Sequence, residues 1–104
     1  MTFDTEVFDF GTIKQGDKVQ HDFKFTNSGH SDLVITDAKG SCGCTVPEYP
    51  KDPIKPGESG VIKVKFDSHG KSGQHSKSVT LFCNVEQGNK VLNIKANIEA
   101  PLPN

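Results

Sequence analysis

Hydrophobic and polar residues alternate along much of this chain with a period of two, which is typical of half-buried β-strands. The pattern is clear at residues 19–25, 62–66, 79–85 and 92–98. A β-branched run at residues 33–36 indicates a further strand. No segment has the 3.6-residue period of an amphipathic helix. The pattern therefore predicts an all-β protein.

Turn-forming residues separate these segments. Residues 47–60 contain four of the six prolines, which disfavours a helix and predicts an ordered crossing loop. A second loop is predicted at 67–73 and a hairpin turn at 86–90. Short strands at this spacing predict an immunoglobulin-like antiparallel β-sandwich of about seven to eight strands. We expect one domain that covers residues 1–104.

Charge and hydropathy exclude several classes of partner. The formal net charge is -1, and every one of the 12 basic residues is lysine, so neither a basic face nor arginine favours nucleic-acid binding. No apolar run approaches the roughly 20 residues of a membrane helix, and we expect no membrane insertion of this domain. The segment Met1–Asp4 has neither the basic start nor the apolar stretch of a signal peptide.

The most distinctive chemistry lies in the tripeptide Cys42-Gly43-Cys44. One interpretation is a passive loop in which both sulfurs fill the end of the sandwich. A second is a disulfide between Cys42 and Cys44, because the backbone freedom of Gly43 lets two such close residues meet. A third is a metal site, in which two thiolates share an ion with further ligands. The residues alone leave these three interpretations open.

The metal interpretation needs ligands from elsewhere in the chain. His69 and His75 are the main candidates to join Cys42 and Cys44, with Cys83 and His30 as further options. No Cys-x-x-Cys pair is present, and nothing in the sequence indicates that these residues converge. We therefore predict no metal and no cofactor.

Two other candidate residues have simpler explanations. Cys83 is in phase with Leu81, so it is expected to point inward as a small apolar side chain. His21 is in phase with Phe23, which predicts a buried or half-buried ring with a hydrogen-bond partner. No activated nucleophile, phosphate loop or paired-acid motif is recognisable, so we predict that the protein is not an enzyme.

Several motifs in order resemble one protein family. They are Phe8-Asp9-Phe10-Gly11-Thr12-Ile13, Gln15-Gly16-Asp17, Phe23-Lys24-Phe25-Thr26-Asn27-Ser28-Gly29, Leu33-Val34-Ile35, Ser41-Cys42-Gly43-Cys44-Thr45, Ile54-Lys55-Pro56-Gly57-Glu58 and Val64-Lys65-Phe66-Asp67. Together they resemble the bacterial domain of unknown function DUF1573, which is similar to Hydin-type and major-sperm-protein-like immunoglobulin domains. The resemblance covers nearly the whole chain.

The resemblance implies a fold and a setting. Members are similar to secreted, lipid-anchored or periplasmic proteins of Bacteroidetes-like bacteria, and the eukaryotic relatives are interaction modules. It therefore implies a periplasmic or extracytoplasmic protein-binding or scaffold module, as a monomer or weak oligomer with an unknown protein partner. The alternative is a metal-binding or thiol-redox protein centred on Cys42 and Cys44.

Candidate partner-facing elements follow from this interpretation. They are the cysteine loop, the proline-rich segment that ends at Gly57, and the loop from His69 to His75. The residues assigned to the disulfide or interaction loop are Cys42, Gly43, Cys44, Thr45, Pro56 and Gly57.

Overall fold

The structure is a computed structural model that describes residues 1–84 and 89–101. These residues form eight strands and no helix: β1 (Thr2–Phe3), β2 (Val7–Lys14), β3 (Lys18–Thr26), β4 (Ile35–Gly40), β5 (Thr45–Glu48), β6 (Ser59–Asp67), β7 (Gly73–Cys83) and β8 (Lys90–Glu99). Accordingly, the described chain has no helix long and apolar enough to cross a membrane.

The strands form two four-stranded sheets. The first has the order β1-β3-β6-β5 and the second β2-β8-β7-β4. Neighbouring strands are antiparallel, except that β2 pairs with β8 in parallel, with a register shift between Asp9 and Thr12. The all-β prediction and the predicted sandwich of about seven to eight strands are confirmed.

The core lies between the two sheets and follows the predicted alternation. Each fully buried large apolar side chain contributes about 1.5–3 kcal/mol to folding. The core residues are Phe23, Phe25, Leu33, Ile35, Ile54, Ile62, Val64, Phe66, Val79, Leu81, Leu92, Ile94, Ala96 and Ile98.

Strand ends differ from the prediction where the sequence is polar or rich in proline. β7 begins at Gly73, ahead of the predicted 79–85 segment, because residues 73–78 pair with β8 although they lack apolar alternation. β5 extends from Thr45 into the start of the predicted 47–60 loop region and includes Pro47, which an edge strand tolerates. Of the predicted turn at 86–90, residues 86–88 lie outside the described residues.

Candidate functional site

The Cys42-Gly43-Cys44 loop carries the chain from one sheet to the other. It follows β4 of the second sheet and precedes β5 of the first. The structure joins Cys42 and Cys44 in a disulfide, with 5.3 Å between their Cα atoms. Both cysteines are half-buried, whereas Gly43 is exposed. The disulfide therefore lies in the connection between the two sheets.

Backbone hydrogen bonds attach this loop to both sheets. On the second sheet, the Ser41 amide donates to the Ser78 carbonyl at 2.8 Å. On the first sheet, the Asp67 amide donates to the Cys44 carbonyl at 2.9 Å. The Thr45 amide closes the turn by donating to the Cys42 carbonyl at 3.2 Å. The loop is thus held at both of its ends as well as by the disulfide.

Thr45 packs beneath the disulfide. It is only 2% exposed, and its Oγ1 lies 3.6 Å from the Cys42 sulfur and 3.8 Å from the Cys44 sulfur. Gly40 lies on the other side of Thr45, and a Cβ atom at Gly40 would overlap the Thr45 carbonyl oxygen. The chain is therefore packed tightly against β4 where it crosses between the sheets.

An open concavity of about 610 Å³ lies beside this loop, between the disulfide and the ends of β3 and β6. The exposed apolar side chain of Val46 lines it, with Lys65 and Glu48 joined by an ion pair of 2.9 Å at its rim. The hydrogen bond from Lys65 lowers the pKa of Glu48. The complete lining is Lys18, Val19, Gln20, Gly43, Cys44, Val46, Glu48, Lys65, Phe66, Asp67, His69 and Lys71.

The two candidate histidines lie at different places. His69 lines the same concavity as Cys44, and its amide donates to Asp67 Oδ1 at 2.9 Å. His75 lines a separate concavity of about 310 Å³ with Asp9. Its Nε2 lies 2.9 Å from the Ser72 carbonyl oxygen. Within residues 1–84 and 89–101, no three histidine, cysteine, aspartate or glutamate side chains are grouped as metal ligands.

Pro56 and Gly57 lie at the other end of the first sheet. They precede the start of β6, whereas Cys44 contacts its last residue, so a strand length of roughly 27 Å separates the two groups. Gly57 has a φ of +83°, and its amide donates to the Asn27 carbonyl at 2.8 Å. This part of the predicted interaction loop therefore serves as a turn anchored on Asn27.

Asn27 is a structural residue that sequence reasoning did not single out. Its side-chain amide donates to the Ser31 carbonyl at 2.9 Å and to the Ile54 carbonyl at 2.7 Å. Its Oδ1 accepts the Gly29 amide at 3.0 Å, and the residue is only 2% exposed. The Asn-Ser-Gly sequence was the available signal, because asparagine side chains often bond the backbone in turns.

His21 is half-buried, and the contacts around it are aromatic. Its ring stacks on Phe8 at 3.7 Å and 8°, and meets the Phe23 ring edge to face at 4.7 Å. Burial lowers its pKa, and Asp22 partly opposes this effect. The stacking links β3 to β2 across the two sheets. Sequence phase predicted the inward direction of His21, but in the described part of the chain its contacts are with Phe8 and Phe23 rather than with the predicted hydrogen-bond partner.

Cys83 has a free thiol and is half-buried against the core at the end of β7. It pairs across the sheet with Ile35. Burial raises the pKa of this thiol, which disfavours the reactive thiolate. Its inward packing agrees with the expectation of a small apolar residue.

The sequence of this chain matches the model of one protein family. The family described as "Protein of unknown function (DUF1573)" matches residues 1–98. The chain belongs to the DUF1573 family. No curated protein matches this DUF1573 chain in sequence.

Solved structures share the fold of this DUF1573 chain. A protein of unknown function from Porphyromonas gingivalis W83 has a TM-score of 0.79 at 17% identity, over 92% of this chain and 46% of that one. The Vibrio cholerae VesB protease has a TM-score of 0.71 at 21% identity, over 94% and 31%. The secreted serine protease VesC of the same organism has a TM-score of 0.66 at 13% identity, over 91% and 22%. This chain thus spans less than half the length of each.

Proposed function

We propose that this DUF1573 domain is a non-enzymatic, immunoglobulin-like interaction module of the bacterial envelope. It binds a protein partner at the concavity beside the Cys42–Cys44 loop. The observation that carries the proposal is the disulfide at the sheet crossing, which fixes one wall of an open surface. A wall that is already ordered reduces the conformational entropy that binding costs.

The composition of this surface resembles a small protein interface. Val46 is 50% exposed and lies among charged and polar residues, which is the arrangement of an apolar centre with a polar rim. The lining carries both signs of charge, from Lys18 and Lys71 and from Asp67. Mixed charge of this kind favours a partner with complementary charges over a purely anionic ligand.

The compartment and the absence of catalysis are also part of the proposal. Disulfides persist in oxidising compartments such as the periplasm, so the Cys42–Cys44 bond supports an extracytoplasmic location. Both sulfurs of this loop are bonded to each other, and a disulfide offers neither a thiolate nucleophile nor a thiolate metal ligand. This supports binding over catalysis at the concavity.

Site-specific photocrosslinking in the source bacterium tests the proposal. A photoreactive amino acid replaces Val46, and a matched variant carries it at Val91, which is 45% exposed on a strand of the other sheet. We expect a discrete crosslinked envelope protein from position 46 and none from position 91. Equal crosslinking from both positions, or none from position 46, contradicts the proposed surface.

A further inference from the structure

The exposed edges of the two sheets differ in how well they are closed. Unpaired edge strands present backbone N–H and C=O groups that template the addition of another strand. In the described part of the chain, β4 and β2 flank the second sheet, while β5 and the two-residue β1 flank the first. The molecule's own groups block or interrupt the edges of β5, β4 and β2. The fourth edge, where the short β1 pairs with only one end of β3, is largely open.

The edge of β5 is blocked by proline. The Asp67 amide donates to the Cys44 carbonyl, so by alternation Thr45 and Pro47 direct their backbone groups away from β6. The Thr45 amide already donates within the turn, to the Cys42 carbonyl at 3.2 Å. Pro47 has no amide hydrogen, so neither residue offers a donor to an incoming strand.

The edge of β4 is closed by side chains and a bulge. The Ala38 amide, which faces outward, donates to Asp37 Oδ1 at 2.8 Å. The Thr36 carbonyl accepts the Tyr49 hydroxyl at 3.3 Å. The register also shifts between Ile35 and Asp37, which bends the edge away from regular pairing.

The edge of β2 is interrupted in a similar way. The Thr5 hydroxyl donates to the Val7 carbonyl at 2.9 Å, and the Gly11 amide donates to Asp9 Oδ1 at 2.8 Å. The register shift after Asp9 breaks the remaining edge into short pieces. An incoming regular strand therefore cannot pair along the whole length of β2.

The edge of β3 is the exception. β1 pairs only with Phe25 and Thr26, and no strand of the described chain pairs with the outer side of residues 18–22. The Asn27 amide donates to the Glu58 carbonyl at 2.9 Å, which assigns odd-numbered residues of β3 to β6. The Asp4 amide donates to the Lys24 carbonyl at 3.2 Å, which assigns even-numbered residues to the outer side. The backbone groups of residues 18, 20 and 22 therefore face outward.

The sequence of this open edge is complementary to itself. Residues 18–22 read Lys-Val-Gln-His-Asp. In an antiparallel pair of two such segments centred on Gln20, Lys18 of each copy lies opposite Asp22 of the other. Opposite charges directly across an antiparallel pair stabilise it.

We propose that two copies of this chain associate by antiparallel pairing of their β3 edges about a two-fold axis at Gln20. The outward backbone groups of residues 18, 20 and 22 then form up to about six N–H···O bonds between copies. The paired sheets become continuous across the interface. Such an interface is isologous, because the same edge serves both copies.

The inner side of this edge also fits the proposal. Val19 and His21 are half-buried there, and the His21 ring stacks on the half-buried Phe8 of β2. In the dimer, Val19 of one copy lies opposite His21 of the other. The second copy therefore covers apolar surface at the side of the sandwich as well as backbone groups, and burial of apolar surface favours association.

Charge exchange tests the pairing. Sedimentation equilibrium of the 104-residue chain is compared with Lys18→Glu and Asp22→Lys. Each variant alone places like charges across both ends of the interface, so we expect its dimer dissociation constant to rise roughly tenfold or more. An equimolar mixture of the two variants restores both opposite-charge pairs, and we expect a heterodimer. The double variant Lys18→Glu/Asp22→Lys also restores the homodimer.

The design separates association from folding. Within one copy, Lys18 pairs with Asp67 and Asp22 with Lys63, so the double variant introduces like-charge neighbours on β6. If the double variant regains the dimer, the gain must therefore come from contacts between copies rather than from contacts within one copy. Lys24→Glu lies on the same face of β3, but its outward carbonyl already accepts the Asp4 amide; it is the matched control and should associate like the unmodified chain.

Three outcomes overturn the proposal. The first is a chain that stays monomeric up to about 1 mM. The second is a dimer that neither single variant weakens, and the third is a mixture that forms no heterodimer. Amide hydrogen exchange provides a measurement without substitutions: the Gln20 amide should become protected as concentration rises, while the Phe23 amide, directed at β6, should not change. Lys18, Val19 and Gln20 also line the concavity at Val46. Sedimentation detects only the association of two copies and crosslinking from position 46 only the partner protein, so failure of one proposal is distinguishable from failure of the other.

Discussion

At the scale of single residues, the sheet crossing depends on a few small side chains. Gly40 contacts the Thr45 backbone so closely that a Cβ atom would overlap its carbonyl oxygen. Gly43, three residues later, has no positive φ, and a Cβ atom added to it would meet no other atom within 4 Å. The two glycines flank Cys42 but differ in what surrounds them.

Gly40→Ala should therefore destabilise the domain, whereas Gly43→Ala should be close to neutral. Overpacking of this kind costs about 1–3 kcal/mol, because the two sheets must separate to admit the added methyl group. Urea unfolding of both variants measures the difference. Equal stability of the two variants would show that the crossing can relax around Gly40.

At the scale of elements, β2 and β3 are linked by rings as well as by the core. The His21 ring stacks on Phe8 across the sheets, and burial keeps its pKa below the ordinary value. In the unfolded chain, His21 binds a proton at a higher pH than in the folded state. Above about pH 6.5, His21 is neutral in both states and does not change the free energy of unfolding. As the pH falls below that value, the unfolded chain binds more protons than the folded chain, so the free energy of unfolding decreases.

His21→Phe should reduce this pH dependence, because phenylalanine keeps the stacked ring and has no proton to bind. We expect the variant to lose less of its free energy of unfolding than the unmodified chain between about pH 7 and pH 5. Urea unfolding across this range measures both slopes. The exposed His30 provides the control, since His30→Phe should retain the slope of the unmodified chain. An unchanged slope in His21→Phe would assign the pH dependence to other groups.

At the scale of the whole molecule, the Cys42–Cys44 disulfide closes a very short loop at the junction of two sheets, since the cysteines are separated by two positions in sequence. A loop of about three residues removes little entropy from the unfolded chain, about 1.6 kcal/mol in the chain-entropy description. The fold rests instead on the buried apolar residues of both sheets. Loss of the disulfide should therefore weaken the domain without unfolding it.

Cys42→Ser/Cys44→Ser should stay folded and lose about 1–2 kcal/mol of unfolding free energy. Reductant should produce a similar loss in the unmodified chain and no further loss in this variant. Cys83→Ala is the control and should keep the response to reductant. Mass spectrometry after alkylation of the denatured chain should find one modified thiol before reduction and three after it. Three modified thiols before reduction would contradict the disulfide.

Much of the architecture was predictable from local pattern. Apolar alternation identified the inward faces of β3, β6 and β8, and it marked Phe23, Ile62 and Ile94 as core residues. This works because side chains on a strand alternate between faces whatever the strand pairs with. Start positions were less predictable: residues 73–78 are held in β7 by their pairing with β8, and no apolar alternation marks them.

The candidate site was only partly predictable. The Cys-Gly-Cys sequence marked a distinctive loop but left a disulfide, a metal site and a passive loop open. The fold then placed His69 beside Cys44, and His75 and Gly57 elsewhere. These neighbours come from segments far apart in the chain, so their proximity depends on strand order rather than on spacing.

The sequence by itself determined that the chain forms short strands, which side chains face inward, and where sulfur is concentrated, because each follows from local residue properties. Only the tertiary structure decided which strands are neighbours, including the parallel pairing of β2 with β8 and the open edge of β3. The physical reason is that strand pairing joins distant segments, and the best common burial of all of them selects it.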